Sequence, residues 1–134
     1  MEKIVAELGR ILLADDEETF LYSTCELLRR SGYRCDRAVN AKIAAAMLRE
    51  QKYDLLIADI KMPGNTELEL IRGLPALAAG LPVILTTGYP PVYRAAIEMR
   101  LPVRAYLFKP FDFAELLAIV RKALVSDQLA VTSD

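Results

Sequence analysis

A chain of 134 residues fits one domain with a sizeable core and leaves little for a second. Its 18 acids nearly balance its 17 bases with no long run of one sign, which argues against a nucleic-acid or membrane surface. Histidine is absent, so imidazole acid–base catalysis, Ser-His nucleophiles and most zinc sites are excluded, and any chemistry falls to carboxylates, hydroxyls and lysines.

Residues 1–9 read as an N-terminal extension without the apolar run of a secretory signal. The first strand, Arg10 to Ala14, ends on Asp15-Asp16. A helix from about Glu17 to Arg30 places Phe20 or Leu21, Thr24, Leu27 and Leu28 on one side and stops at Gly32. The second strand, Tyr33 to Ala38, alternates and should lie at a sheet edge. Asn40 caps a second helix whose buried face runs through Ala44, Met47 and Leu48. The third strand, Leu55 to Ala58, closes on Asp59 and turns at Pro63-Gly64. The third helix starts near Thr66, carries Leu70, Ile71 and Leu74, and is disturbed at Pro75.

The fourth strand, Val83 to Thr86, leads to Thr87-Gly88, and a fourth helix, roughly Val92 to Arg100, has the weakest pattern. The fifth strand, Ala105 to Phe108, ends on Lys109-Pro110. Asp112 and Glu115 form a capping box for a last helix with Phe113, Leu116, Leu117, Val120 and Leu124 on one face. Residues 126–134 show no clear pattern and read as a tail or the start of a linker. The first, third, fourth and fifth strands lack alternation, as strands covered on both faces do. Cys25 and Cys35 read as free thiols of a reducing compartment, and a cytoplasmic location is expected because no stretch reaches the ~20 apolar residues of a membrane span.

Alternating strands and helices imply a parallel α/β sheet with helices on both sides. Ligands of such sheets sit beyond the carboxyl ends of the strands. Asp15-Asp16, Asp59, Thr87 and Lys109 each follow an apolar run. Singly, each reads as a turn, cap or surface residue; the fold brings them to one rim.

The chain resembles a response-regulator receiver domain over residues 10–125, in the order "LLADDEE", "LIADIKMPG", "ILTTGY" and "YLFKPF". The resemblance implies a flavodoxin-like (βα)5 fold, doubly wound, with strand order 2-1-3-4-5. It implies Asp59 as the phosphoacceptor, with Asp15, Asp16, Asp59 and the backbone carbonyl of Lys61 around Mg2+. Thr87 and Lys109 would contact the phosphoryl group, Gly88 is the small residue after the threonine, and Tyr106 holds the place of the rotating aromatic. Lys109-Pro110 is expected to be cis. Thr86 competes for the hydroxyl role; counting from Pro82 along the family pattern selects Thr87. Partners implied are a sensor histidine kinase or phosphotransfer protein and an output domain or partner protein that reads the fourth helix, fifth strand and fifth helix. Pairing of two copies on phosphorylation is left open, as is a stand-alone chain against a piece of a larger regulator or hybrid kinase.

The residue types fit the chemistry. Phosphoryl transfer needs an in-line nucleophile and positive charge on the transferred oxygens, with little covalent work besides. Three carboxylates repel one another unless a cation intervenes, and an all-oxygen donor set suits Mg2+. Lys61 and Tyr89, two residues beyond Asp59 and Thr87, would flank the attacking water and tune dephosphorylation.

Departures from the family pattern are Asn65-Thr66-Glu67 after Pro63-Gly64, Pro102 within "RLPVRAY", and Pro90-Pro91 in "GYPPVYR". The alternatives are a degenerate receiver that only binds partners, a flavodoxin-like cofactor domain, and a haloacid-dehalogenase-like phosphatase. The phosphatase needs an acid two residues after its nucleophile, where Lys61 stands; the cofactor domain needs a phosphate loop where "DDEETF" stands. Beyond its own phosphorylation and dephosphorylation, no enzyme activity is expected.

Overall fold

The computed structural model describes residues 8–62, 69–88 and 103–132, the backbone alone from 125 onward. The Pro63-Gly64 turn, the helix start near Thr66, Asn65-Thr66-Glu67, Tyr89, Pro90, Pro91, the helix from Val92 to Arg100, and Pro102 lie outside the described residues. The elements are β1 (Arg10–Ala14), α1 (Glu18–Arg30), β2 (Arg34–Ala38), α2 (Ala41–Glu50), β3 (Leu55–Asp59), α3 (Glu69–Arg72), α4 (Leu74–Leu77), β4 (Val83–Thr87), β5 (Val103–Phe108) and α5 (Phe113–Thr132). The strands pair in parallel in the order β2-β1-β3-β4-β5.

Alternation along the strands divides the core between the two faces. Leu12, Leu56, Ala58, Val83 and Leu85 pack with Ala44, Leu48, Leu70, Ile71 and Leu74 on the α2–α4 side. Ile11, Leu13, Leu55, Ile57 and Ile84 pack with Leu21, Cys25, Leu28, Leu116 and Val120 on the α1 and α5 side. Both cysteines are free and buried. The expected caps form: Asn40 Oδ1 accepts the Ile43 amide at 2.8 Å, and Asp112 and Glu115 exchange backbone-to-side-chain bonds of 2.9 and 3.2 Å.

Four sequence expectations change. Strand β5 holds the edge position that the expected strand order gives it, but it is not covered on both faces: Arg104 and Phe108 are exposed. In α1 the buried residues are Leu21, Thr24, Cys25 and Leu28, spaced i, i+3, i+4 and i+7, and Leu27 falls outside that stripe and is exposed. The third helix breaks at Gly73, before Pro75, because the proline ring cannot follow a continuing helix and is accommodated in the first turn of α4 instead. The backbone of α5 stays helical through Thr132, where "LVSDQLAVT" contains neither glycine nor proline to stop it. Among the described residues no helix is long and apolar enough to cross a membrane.

At the amino ends of the strands, a polar clamp ties three of them together. The Arg10 guanidinium pairs with Asp36 at 3.1 Å and lies 5.2 Å over the Tyr53 ring. The Tyr53 hydroxyl donates to the same Asp36 oxygen at 2.7 Å, and the Arg10 amide donates to Asp54 at 2.8 Å. These contacts link β1, β2 and the approach to β3 at the end remote from the carboxyl rim.

Candidate functional site

Strands β1 and β3 run side by side with Ala14 opposite Ala58, so Asp15 and Asp59 leave the sheet as neighbours. Both are buried. Each carboxylate is fixed by the backbone two residues on: Asp15 Oδ1 accepts the Glu17 amide and Asp59 Oδ1 the Lys61 amide, both at 2.9 Å. Such local bonds are the usual way an aspartate closes a strand into a turn. The remaining oxygens, Asp15 Oδ2 and Asp59 Oδ2, each accept from Lys109 Nζ at 2.9 Å. The exposed Asp16 completes the group, with one oxygen from each of the three acids lying within 4.8 Å of the others.

Lys109 reaches this position from the end of β5. Its amide donates to the Thr87 carbonyl at 2.9 Å, which continues the ladder past the strand, and the Lys109-Pro110 peptide is cis. Burial pushes the Asp59 carboxyl above the ordinary carboxylate range despite the Lys109 and Lys61 donors, and the charge of Asp15 pushes the same way. Burial works against the Lys109 ammonium as well, but bonds to Asp15 and Asp59 outweigh it and hold the lysine above its usual value. One ammonium therefore bridges two of the three clustered acids, Asp15 and Asp59. A site with surplus negative charge and oxygen donors fits a hard divalent cation such as Mg2+.

The two threonines fall on different faces. Thr86 lies opposite Asp59 in register and, by alternation, on the side of Ile84; Thr87 lies one step on, opposite Phe108 and on the side of Val83 and Leu85. Both are buried. Tyr106, half-buried opposite Leu85, packs against that same side, so Thr87 and Tyr106 share one face of the β4–β5 pair. Lys61 and Gly88 are exposed, and a side chain at Gly88 would meet nothing within 4 Å. Asp15, Asp16, Asp59 and Lys109 thus form one cluster, with Thr87 beside it at the end of β4; Tyr89 lies outside the described residues.

Sequence reasoning missed an aromatic wall. Phe20, weighed above against Leu21 for the core stripe of α1, places its ring 5.1 Å from Lys109 Nζ, and Phe111 meets that ring edge-on at 5.7 Å and 85°. The available signal was positional: Phe20 stands one helical turn beyond Asp16, and Phe111 stands two residues beyond Lys109.

Comparison with known proteins agrees with this geometry. A sequence model described as the response regulator receiver domain matches residues 11–121. The transcriptional regulatory protein ZraR of Escherichia coli (strain K12) is 32% identical over 114 residues, 85% of this chain and 26% of ZraR. The chain thus spans about a quarter of that curated relative's length. Among solved structures, the CheY-like receiver domain protein of Methanospirillum hungatei JF-1 superposes with a TM-score of 0.83 at 28% identity, covering 91% of this chain and 98% of that one. The response regulator TrrA of Thermotoga maritima, solved in complex with Mg2+-BeF, gives a TM-score of 0.75 at 35% identity and covers 86% and 98%.

Proposed function

Because the chain belongs to the response regulator receiver domain family of two-component systems, we propose that Asp59 accepts a phosphoryl group from a histidine kinase or phosphotransfer protein. The observation that carries this reading is Lys109 Nζ held 2.9 Å from both Asp15 and Asp59, with Asp16 in reach of both acids. An Asp59 oxygen attacks phosphorus as the bond to the donor's leaving nitrogen breaks, giving an acyl phosphate. The Lys61 amide on Asp59 Oδ1 fixes the orientation of the nucleophile. Lys109 loses its bond to Asp59 Oδ2 and takes up a phosphoryl oxygen, while its bond to Asp15 holds it in place. Asp15, Asp16, Asp59 and the Lys61 carbonyl would hold Mg2+, which when bound supplies positive charge to the three acids and the phosphoryl oxygens.

Thr87 then donates its hydroxyl to the new dianion, and Tyr106, on the same face of β4–β5, follows the space it leaves. Gly88 leaves room for that shift. The change reaches the surface of β5 and α5, to which the family pattern adds residues 92–100, where an output domain, a partner protein or a second copy reads it. Lys61, exposed beside the nucleophile, and Tyr89 restrict water and set the phosphoryl lifetime. The receiver body is residues 10–125, with 1–9 as an N-terminal extension and 126–134 as a tail or the start of a linker; a cytoplasmic location accords with a kinase partner.

Intact-mass analysis after incubation with acetyl phosphate and Mg2+ tests the reading. Wild type should gain one phosphoryl group and Asp59→Asn none; equal gain by both, or none by wild type, refutes it.

A further inference from the structure

The Phe20 ring takes no part in the chemistry assigned to the acids, yet it lies against the ammonium that bridges them, 5.1 Å from centroid to Nζ. Lys109 ends a flexible stem, and its side chain keeps 30% of its surface exposed, so the two carboxylate bonds alone leave it a route into water. An aromatic face attracts an ammonium through its quadrupole and keeps water off that side, which an aliphatic side chain of similar size does only in part. Phe111 braces the ring edge-on at 5.7 Å. Phe20 comes from α1, Phe111 and Lys109 from the segment after β5, so the wall joins the two elements that flank the acids.

We propose that Phe20 is a positioning residue, which holds Lys109 Nζ at the Asp59 oxygen where the phosphoryl group arrives, with Phe111 holding the ring. This rests on Asp59 being the phosphoacceptor and on the three acids being the Mg2+ site. It has a consequence that simple packing lacks. Lys109 occupies Asp15 Oδ2 and Asp59 Oδ2, oxygens of the same acids that would serve a metal. Loosening the lysine frees those oxygens for Mg2+ while withdrawing charge from the transferred phosphoryl group. Metal affinity rises as transfer slows, whereas a damaged site weakens both.

The test compares wild type, Phe20→Leu, Phe20→Tyr and Phe111→Leu by Mg2+ titration calorimetry and by phosphoryl uptake from acetyl phosphate, followed by intact mass at saturating Mg2+. Phe20→Leu should slow uptake about 3- to 10-fold, the range of a partly desolvated cation–π contact, and bind Mg2+ more tightly. Phe20→Tyr, which keeps the ring, should match wild type, and Phe111→Leu should move both quantities in the same directions by less. Should Phe20→Leu melt below the assay temperature, Phe111→Leu carries the comparison. Slower uptake with weaker or unchanged Mg2+ binding, or no change in either, overturns the inference while wild type remains active. A wild type that takes up neither metal nor phosphoryl group overturns the reading beneath it as well.

Discussion

Strands β1 and β3 lie inside the sheet, buried almost throughout, and deliver Asp15 and Asp59 as neighbours on the α1 and α5 side. Strand β5 lies at the edge, paired among the described residues with β4 alone, and carries half-buried Tyr106 and a Phe108 that is 43% exposed. The nucleophile is thus placed where both neighbours resist displacement, and the aromatic that would report on it where one neighbour resists. Local opening costs least where fewest apolar contacts are lost, so an edge strand suits an element that moves and a central one suits a group that must not. Lys109 belongs to both regions: its backbone extends the β4–β5 ladder while its ammonium sits between the central acids.

The sharpest break in this division is Asp59→Asn, for which phosphoryl gain by intact mass should vanish while the circular dichroism spectrum stays that of a folded α/β domain. Lys109→Ala should slow uptake from acetyl phosphate by ~10²- to 10³-fold, the cost of losing one positioned donor, without unfolding β5. In urea titrations, Leu56→Ala in the fully buried centre should cost about 2–5 kcal/mol, while Phe108→Ala at the edge should cost well under half as much. Thr87→Ala should still take up phosphate, within about tenfold of wild type, the net worth of one hydrogen bond, but lose the phosphorylation-dependent change in Tyr106 resonances that Thr86→Ala retains; the reverse pattern would move the hydroxyl role to Thr86.

The smallest effect concerns pH. The folded state raises the Asp59 pKa, chiefly through burial, so it binds that proton more tightly than the unfolded chain. This residue's contribution therefore favours folding at low pH and is lost as pH rises through the window just above the ordinary carboxylate value. Metal-free wild type should show that loss in urea titrations across the window, and Asp59→Asn should lack it.

Much of the framework was legible because strands buried on both faces leave apolar runs that polar residues end abruptly. That signature located Asp15, Asp59 and Lys109, and the structure brings them together. It failed at β5, whose run "AYLF" is apolar although Phe108 is exposed, because composition does not record how much of each face other elements cover. Periodicity included Leu27 and overlooked Cys25, since adjacent positions on a helix differ by a rotation that a core of slightly different width can absorb. Periodicity left Phe20 and Leu21 as alternatives for the core stripe; only the return of the chain at Lys109 and Phe111, 91 residues later in the case of Phe111, gives Phe20 a cation to face. Nor does periodicity separate Thr86 from Thr87, whose difference is which face of the sheet each follows.

The clamp of Arg10, Asp36, Tyr53 and Asp54 sits at the far end of the strands from all of this chemistry. Parallel strands have no hairpin to set their alignment, and a slip of one residue between β1 and β3 would carry Asp15 about 3.3 Å along the sheet and turn it toward the opposite side. A joint whose arginine, tyrosine and aspartate partners meet at one offset alone gives the sheet a fixed datum. The gap between the two buried acids is thereby specified five residues before the chain reaches either of them.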